Sequence, residues 1–369
     1  MDTINLSIDG HEVKIRQGAT VLEAAQAAGI YIPTLCADPD LAPFGACRLC
    51  IVEIEGMRGF PPSCTTPATD GMVVRTNSPQ ITWLRRSILE FLLSEHPHAC
   101  LTCHRIERCG PFDICLRNVA VSERCVVCAK NKHCELQDIV RYVGLEEINL
   151  PYIPKNLPVD SSNPFFERDM NYCILCGKCV RACDEIVGAG AIAISSRGYS
   201  ARISTFGDGP IVDSTCISCG ECVVRCPTGA LIPKNTVEPN HEVKTVCPYC
   251  GVGCSIFVGV RDNKAVSVRG DREGPANRGR LCVKGRFGIT EFVNHPDRLR
   301  TPLIKKDGKF VEASWEEALD LIASKLDAYT GSEFAAISSA KCSNEDNYVM
   351  QKFARAVMGT NNVDHCARL

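Results

Sequence analysis

Cysteine supplies most of the chemistry this chain can do: 25 of its 369 residues are Cys, and 23 of those stand in short-spaced groups. The recurring unit is C-x2-C. Two residues between thiols let one tight turn present two soft, ionisable donors to the same metal centre. Such thiols must stay reduced, which argues against a secreted disulfide scaffold and for a reducing compartment.

Spacing separates four regions. Cys36, Cys47, Cys50 and Cys64 give C-x10-C-x2-C-x13-C. His96, Cys100, Cys103, Cys109, Cys115, Cys125, Cys128 and Cys134 crowd one stretch in which C-x2-C-x5-C occurs twice, the first time as H-x3-C-x2-C-x5-C. Cys173, Cys176, Cys179 and Cys183 give C-x2-C-x2-C-x3-C, and Cys216, Cys219, Cys222 and Cys226 repeat it 43 residues later, closing on Pro227. Cys247, Cys250, Cys254 and Cys282 give C-x2-C-x3-C-x27-C. Cys342 and Cys366 lie outside these groups and read as core thiols. His98, His104 and His133 fit no ligand pattern and read as solvated.

Loops of this kind need rigid elements to hold them. "INLSIDGHEVKI" alternates Ile4, Leu6 and Ile8, then Val13 and Ile15, about Asp9-Gly10, which predicts a β-hairpin. "TVLEAAQAAGI" has Thr20 and Glu23 spaced for a capping box and Gly29 for a helix stop. "WLRRSILEFLLSEHPHAC" predicts an amphipathic helix ending near His96-Pro97. The segments "NLPVDSSNPFFERD" and "LIPKNTVEPNHEVK" read as linkers into and out of the doubled run, in which Gly177 and Gly220 suit a tight loop. Further on, Ser314 and Glu317 are spaced for a capping box on a helix carrying Ala318, Leu319, Leu321, Ile322 and Leu326. "FAAISSA" reads as a buried strand, "NEDNYVMQKFARAVMG" as a helix stopped by Gly359, and "NNVDH" as the next strand. Strand, helix, strand says α/β, and a parallel sheet of about two strands leaves faces for other elements to cover.

Net charge is −2, from 41 basic and 43 acidic residues that are well mixed, so there is no nucleic-acid footprint. "MDTINLSIDG" lacks the basic start and apolar run of a signal peptide. No run approaches the ~18 apolar residues of a membrane span. The expected location is the cytoplasm.

A hairpin, a helix and the Cys36–Cys64 loop resemble the β-grasp fold of [2Fe–2S] ferredoxins, and the spacing is close to that of the domain opening the large iron–sulfur subunit of respiratory NADH dehydrogenase. A four-Cys zinc site is the alternative there. The H-x3-C-x2-C-x5-C run resembles the [4Fe–4S] site with one His and three Cys in that subunit and in iron-only hydrogenases. In those families the last Cys runs straight into "ELQ", whereas here "CELQD" begins at Cys134. Eight potential ligands would serve two cubanes. The simplest division gives His96, Cys100, Cys103 and Cys109 to one and Cys115, Cys125, Cys128 and Cys134 to the other. The competing division gives His96 to the trio ending at Cys134 and the remaining four Cys to an inserted cluster. One cluster with spare or zinc-bound thiols is a third possibility, and spacing does not choose among them.

The doubled run resembles bacterial two-cluster ferredoxins, in which the fourth Cys of each run ligates the other cluster. That implies Cys173, Cys176, Cys179 and Cys226 for one cubane and Cys216, Cys219, Cys222 and Cys183 for its partner, with Asp184 standing where Pro is usual. "CPYCGVGC" and "RLCVKGRFG" resemble the opening domain of the bis-molybdopterin-guanine-dinucleotide oxidoreductases, which holds one [4Fe–4S] cluster beside the organic cofactor. In that family the lysine matching Lys284 bridges the cluster and the nearer pterin.

The last stretch, through "VDHCARL", resembles a molybdenum/tungsten formate dehydrogenase catalytic subunit, where "CAR" plus an apolar residue leads to the metal-ligating cysteine or selenocysteine. A UGA codon read as stop would then end the chain on Leu369. The resemblances imply an α+β multi-domain iron–sulfur protein. Its expected parts are 1–80 β-grasp [2Fe–2S], 81–155 His/Cys [4Fe–4S], 164–236 two-[4Fe–4S] ferredoxin, 241–298 molybdopterin-oxidoreductase [4Fe–4S], and 299–369 the start of a truncated molybdopterin-binding α/β domain. The cofactors implied are one [2Fe–2S], four or five [4Fe–4S], and molybdenum or tungsten on bis-molybdopterin guanine dinucleotide in the full-length protein. Electrons would run from the Cys247 group through the doubled run and the His96 region to the Cys36 group. Flavin-bearing, NAD(P)-reactive iron–sulfur subunits would receive them, with ferredoxin as another acceptor to consider. No catalytic residue is assigned within these 369 residues. The rivals are a complete, non-catalytic electron-transfer subunit, and a truncated enzyme acting on another substrate such as nitrate.

Overall fold

The computed structural model describes residues 2–235 and 237–366. Ala367–Leu369, which carry part of the formate dehydrogenase resemblance, and the side chain of Cys366 lie outside what is described. The chain divides into two units, Met1–Lys234 and Asn235–Leu369.

The first unit opens with β1 (Thr3–Ile8) and β2 (His11–Arg16), an antiparallel pair in which Ile8 faces His11. Asp9 and Gly10 have φ of 50° and 82°, the left-handed pair that a two-residue hairpin turn of matching twist requires. Helix α1 (Val21–Ala27) follows, with both halves of the Thr20/Glu23 capping box made. β3 (Glu53–Ile54) and β4 (Val73–Arg75) complete a sheet of order β2-β1-β4-β3, with β1 and β4 parallel. Leu6, Ile8, Val13, Val21, Leu22, Val52 and Val74 form its core.

Helix α2 (Pro79–Leu93) is capped by Ser78 and buries Ile81, Arg85, Leu89 and Leu93, one residue per turn down a single stripe. Its core partners are Leu136, Ile139, Val140 and Val143 of α3 (Glu135–Val143). Each buried Leu or Ile is worth about 1.5–3 kcal/mol, more than the ~0–1 kcal/mol of exposed ion pairs such as Arg141–Asp138. Apolar packing therefore sets this helix pair. Arg86 donates to the carbonyl of Val143 at 3.2 Å, placing the middle of α2 beside the end of α3, while Leu93 at the end of α2 shares a core with Cys134 and Leu136 at the start of α3, so the helices run antiparallel.

The remainder of this unit is built from very short pieces: β5 (Phe166–Arg168), α4 (Lys178–Arg181), β6 (Ala193–Ser195), β7 (Arg202–Ser204), α5 (Glu221–Arg225) and β8 (Leu231–Pro233). β5 pairs with β8 and β6 with β7, both antiparallel. The segment read as the entering linker is only partly one. Asn163 and Phe166 are buried, because the extended "FFERD" backbone pairs with β8 and turns its ring inward.

In the second unit β9 (His241–Val246), β10 (Ser255–Arg261) and β11 (Lys264–Gly270) form an antiparallel sheet of order β11-β10-β9, and α6 (Ile289–Asn294) packs on β11. A hairpin of β12 (Leu303–Lys306) and β13 (Lys309–Glu312) precedes α7 (Trp315–Leu326). β14 (Ala336–Ser339), α8 (Asn344–Ala356) and β15 (Val363–Cys366) follow, with β14 and β15 parallel. Two expectations change here. Ser314 caps α7, but Glu317 pairs with Lys306 at 2.9 Å instead of closing the box. Strand β14 is buried only at Ala336, with Ile337 79% exposed, and of the apolar positions on α7 only Ala318 is buried. A two-stranded sheet has too little surface to cover them.

Glu23 sits below its ordinary value of 4.5, chiefly because its carboxylate accepts the Thr20 backbone N–H. A carboxyl held low contributes stability above that ordinary value and loses it as pH falls through the depressed value. Thr20→Ala should cost about 1 kcal/mol, read as roughly fivefold faster amide exchange in α1. The difference between wild type and variant should shrink as the solution is acidified below the ordinary carboxyl range. Unchanged exchange would show that packing alone fixes α1.

Candidate metal centres

The loop between α1 and β3, together with the approach to β4, brings Cys36, Cys47, Cys50 and Cys64 together, none more than 4% exposed. The Leu35 N–H donates to the Cys47 sulfur at 3.3 Å, and the Cys47 N–H to the Cys36 sulfur at 3.5 Å. Hydrogen bonds from the Cys47 and Cys64 thiols pull Cys36 down to about 2, and one from Cys64 brings Cys50 to about 7. The same contacts raise Cys47 and Cys64. The four sulfurs divide between two cores. Cys50 and Cys64 belong to the sheet's core, and Cys36 and Cys47 to the core that also holds Leu89, Leu93, Cys134 and Cys176.

The doubled run folds as two like loops. Leu175 donates its N–H to the Cys173 sulfur and Ser218 to the Cys216 sulfur, both at 3.4 Å. Gly177 and Gly220 cap α4 and α5 at φ of 72° and 75°. One cavity is lined by Cys173, Cys176, Cys179 and Cys226, the other by Cys216, Cys219, Cys222 and Cys183. The fourth thiol of each run thus faces the other run's three. Each cavity is about 20 Å³, far under the roughly 300–1,000 Å³ of an organic-ligand pocket. Burial pushes Cys173 up to about 11 and also raises Cys176, Cys179 and Cys222. Loading a metal centre there must displace protons.

His96 follows the end of α2 and is 5% exposed. Its Nδ1 lies 2.8 Å from the Pro97 carbonyl, while Nε2 is buried with no hydrogen-bond partner. Burial pushes the imidazole down to about 4, so it is neutral, with Nδ1–H donating and the Nε2 lone pair free. That is the state in which histidine ligates. Cys100, Cys103, Cys109, Cys115 and Cys125 line one cavity. Cys134 caps α3 and is pushed up to about 11 by burial. His98, read as solvated, is half-buried, with Nδ1 2.9 Å from the Leu93 carbonyl and its ring edge-on to Tyr152. His104 and His133 are exposed.

In the second unit, Cys247, Cys250 and Cys254 lie on the turn between β9 and β10, closed by the Cys247 N–H on the Cys254 carbonyl at 2.8 Å. Cys282 precedes a π-type turn, Lys284–Gly288. Cys247 is buried and Cys282 exposed. Burial raises Cys247 and Cys254, each also facing the other thiols of the set. The Lys284 ammonium stands 6.0 Å over the Tyr249 ring, and its charge acts on Cys247. Cys342, read as a core thiol, is only half-buried, because it sits in the loop before α8, its carbonyl close to Gly251.

Three buried groups that the spacing did not signal fix how the first unit's sites meet. Arg181 of α4 donates to the carbonyls of Cys36 and Ala42, and Glu185 accepts the Ala42 N–H at 2.8 Å. Arg225 of α5 bridges Asp38 at 2.5 Å and Asp40 at 2.9 Å, with Glu221 at 3.4 Å. A Cβ on Gly177 would lie 2.8 Å from the Phe44 ring, so residues 36–44 press directly on the Cys176–Cys179 loop. Lys178 pairs with Glu135 at 2.8 Å, tying α4 to the start of α3 beside Cys134. The one local hint was an arginine shortly before the fourth Cys of each run.

None of the cysteines with described side chains forms a disulfide. Among the described residues no three or more His, Cys, Asp or Glu side chains are placed for a single metal ion. The thiols instead surround small cavities, and the buried His96 Nε2 lacks a hydrogen-bond partner, a donor set that fits iron–sulfur clusters. No helix among the described residues is long and apolar enough to cross a membrane.

The chain matches family models described as a 2Fe-2S iron-sulfur cluster binding domain (residues 1–79), an NADH-ubiquinone oxidoreductase-G iron-sulfur binding region (85–110), a 4Fe-4S dicluster domain (172–230), a molybdopterin oxidoreductase Fe4S4 domain (240–295) and a molybdopterin oxidoreductase (298–369). It is 38% identical over 373 residues to a G-type NADH-quinone oxidoreductase subunit of Rhizobium meliloti, covering 99% of this chain and 40% of that one. It is 34% identical over 375 residues to NADPH-Fe(3+) oxidoreductase subunit alpha of Geobacter sulfurreducens, with coverage of 99% and 40%. It is 33% identical over 416 residues to a Bacillus subtilis protein named "Putative formate dehydrogenase YrhE", again with 99% and 40%. Among solved structures it resembles a chain of an NAD+-reducing [NiFe]-hydrogenase at 33% identity and a TM-score of 0.53, over 63% of this chain and 87% of that one. The chain spans about 40% of the length of the curated relatives it matches.

Arg225→Ala would leave the buried Asp38 carboxylate without its cationic partner, with the Asp40 N–H as a remaining donor. The expected cost is about 3–5 kcal/mol of local stability, read as faster amide exchange across residues 36–44 with iron content retained. Arg225→Lys keeps the charge but cannot span both carboxylates and should fall between. Exchange at wild-type rates in the Ala variant would show that the loop is held by other means.

Proposed function

Because residues 240–295 and 298–369 match molybdopterin oxidoreductase models, we propose that the whole protein is a cytoplasmic formate dehydrogenase, reversibly converting formate to carbon dioxide, whose iron–sulfur portion delivers electrons to flavin-bearing, NAD(P)-reactive partner subunits. The observation that carries the relay reading is the shared core in which Cys36, Cys47, Cys134 and Cys176 pack together. Three thiol sites that could each hold a cluster are in contact through one apolar interior. Formate as substrate is supported by the relative that bears the formate dehydrogenase name and by the resemblance of the last residues to that family.

Bound clusters supply one-electron steps and a bound molybdenum or tungsten pterin supplies the two-electron oxidation; the residues of this chain hold, orient and shield them. Cys36, Cys47, Cys50 and Cys64 would hold a [2Fe–2S] cluster. The crossed sets of the doubled run would hold two cubanes, and Cys247, Cys250, Cys254 and Cys282 another. With one or two sites in the His96 region, the total is four or five cubanes. N–H donors such as those of Leu175 and Ser218 stabilise negative charge on ligand sulfur and so raise the potential of whatever is bound. Lys284, beside Cys247, would present its ammonium to an anionic cofactor. The pterin would be held mainly by parts of the full-length protein beyond the four-element fragment β14, α7, α8 and β15, and its metal by a cysteine or selenocysteine there.

A second reading, a non-catalytic electron-transfer subunit, is favoured by the 38% identity to a protein named as part of an NADH-quinone oxidoreductase. Adding formate to the anaerobic full complex separates the two. Formate should bleach the visible iron–sulfur absorbance and reduce NAD(P)+; bleaching by NADH or NADPH but not by formate would overturn the formate dehydrogenase reading. Lys284→Ala should slow formate-driven reduction by about 10- to 100-fold while leaving dithionite-reduced cluster spectra intact.

A further inference from the structure

We infer that Cys100, Cys103, Cys109 and Cys115 hold a [4Fe–4S] cluster of their own, and that His96 completes a separate site with Cys125, Cys128 and Cys134. This deepens the relay reading and rests on it in one respect, that the thiols of this region bind iron–sulfur clusters. It departs from the simplest division by spacing, which joins His96 to Cys100, Cys103 and Cys109.

The division is read from where the side chains lie. Cys100, Cys103, Cys109, Cys115 and Cys125 line one cavity, whose lining does not include His96, Cys128 or Cys134. His96 looks elsewhere: its ring stands edge-on to Tyr172, with centroids 5.8 Å apart. Tyr172 and Cys128 flank the same glycine. A Cβ built on Gly229 would meet the Cys128 sulfur at 2.6 Å and the Tyr172 ring at 3.8 Å. Cys134 lies on that segment too, its thiol donating to the Pro227 carbonyl at 3.6 Å and the next N–H, of Glu135, to the same oxygen at 3.1 Å. His96, Cys128 and Cys134 therefore gather around Tyr172 and residues 227–229.

Backbone architecture gives the same grouping. Antiparallel packing of α2 on α3 brings the residues after Leu93 to the N-cap of α3, which is Cys134. His96 is thereby carried to Cys134 and not to the inserted loop. Its Nε2, buried and without a partner, is the polar atom in this region that most needs a ligand.

Cys125 lies at the boundary, its N–H donating to the Cys100 sulfur at 3.4 Å. Counting assigns it. Without Cys125 the inserted cavity still has four thiols, enough for a cubane, while the Tyr172 side has three donors and needs one more. Cys125 is also bound into a C-x2-C turn with Cys128, closed by the Cys128 N–H on the Cys125 carbonyl at 3.0 Å. The Cys100–Cys103 turn is closed the same way at 3.1 Å. Each such turn offers its two thiols to one centre.

The test counts iron and records EPR and Mössbauer spectra on the anaerobically purified full-length protein, which needs no substrate. His96→Ala, Cys128→Ala and Cys103→Ala should each lose about four iron atoms, one cubane. His96→Ala with Cys128→Ala should lose no more than either alone, and His96→Ala with Cys103→Ala about eight. The opposite pattern, with the His96/Cys103 pair behaving as one site and the His96/Cys128 pair as two, would overturn the division. No iron lost in any single variant would overturn the iron–sulfur reading of the region, whatever the outcome with formate. His96→Cys guards against misfolding, because it preserves a ligand. It should shift the potential of one cubane, and that shift should survive the addition of Cys103→Ala. Disappearance of the shifted cubane in the double variant would contradict the inference.

Discussion

Thiols from distant parts of the sequence must converge on small cavities, and nearly everything else in the first unit follows from that constraint. Helices of four and five residues and strands of three, such as α4, α5, β6 and β7, cannot stand on backbone hydrogen bonds alone; isolated helices need roughly 12–15 residues to be even marginal. What joins these pieces is the crossed arrangement in which Cys226 reaches the first run's cavity and Cys183 the second's. Clusters bound there would act as inorganic cross-links, so that binding free energy becomes folding free energy. Raised thiol pKa values are the counterpart, since buried sulfurs hold their protons until a metal takes their place.

The second determinant is buried charge. Arg225, with Asp38, Asp40 and Glu221, and Arg181 on the carbonyls of residues 36 and 42, are costly groups to desolvate, and an apolar contact of equal size would often be as stable. What they provide is directional fixing. A guanidinium fork tolerates one placement of the loop, and with Phe44 wedged on Gly177 the Cys36 loop is held against the Cys176 loop. For electron transfer between centres, a fixed short separation matters more than a fraction of a kcal/mol, which is a physical reason for arginines here in place of leucines.

Much of this was legible in the sequence because local rules governed it. The Asp9-Gly10 turn, the Thr20/Glu23 box and the α2 stripe follow from two-residue, three-residue and helical spacings, and each forms as those spacings imply. The convergence of the doubled run's eight thiols was legible because the resemblance to two-cluster ferredoxins specified the crossing. The His96 region was not, because C-x2-C-x5-C occurs twice and spacing does not say which copy α2 and α3 carry to the histidine. Arg181 and Arg225 were missed for a related reason: nothing local distinguishes a buried arginine from a solvated one until its carboxylate and carbonyl partners, some 140 or more residues away, are in place. On α7, the apolar positions from Ala318 to Leu326 lie on a helix as read, but an apolar stripe records a surface that needs a partner without supplying it. Ile322 remains 52% exposed.

The central claim is that the Cys36 loop and the Cys173 set form one rigid contact through which electrons pass. The most direct measurement is the EPR of the anaerobic full-length protein, poised so that a [2Fe–2S] signal is recorded first with the neighbouring cubanes oxidised and then with them reduced. The expected result is a spin–spin interaction: the [2Fe–2S] signal relaxes faster and broadens once its neighbour is reduced, and the effect weakens when residues 36–44 are released by loss of the Arg225 clamp. A [2Fe–2S] signal with the same width and relaxation in both states would contradict the claim, because it would place the two centres too far apart for the contact described.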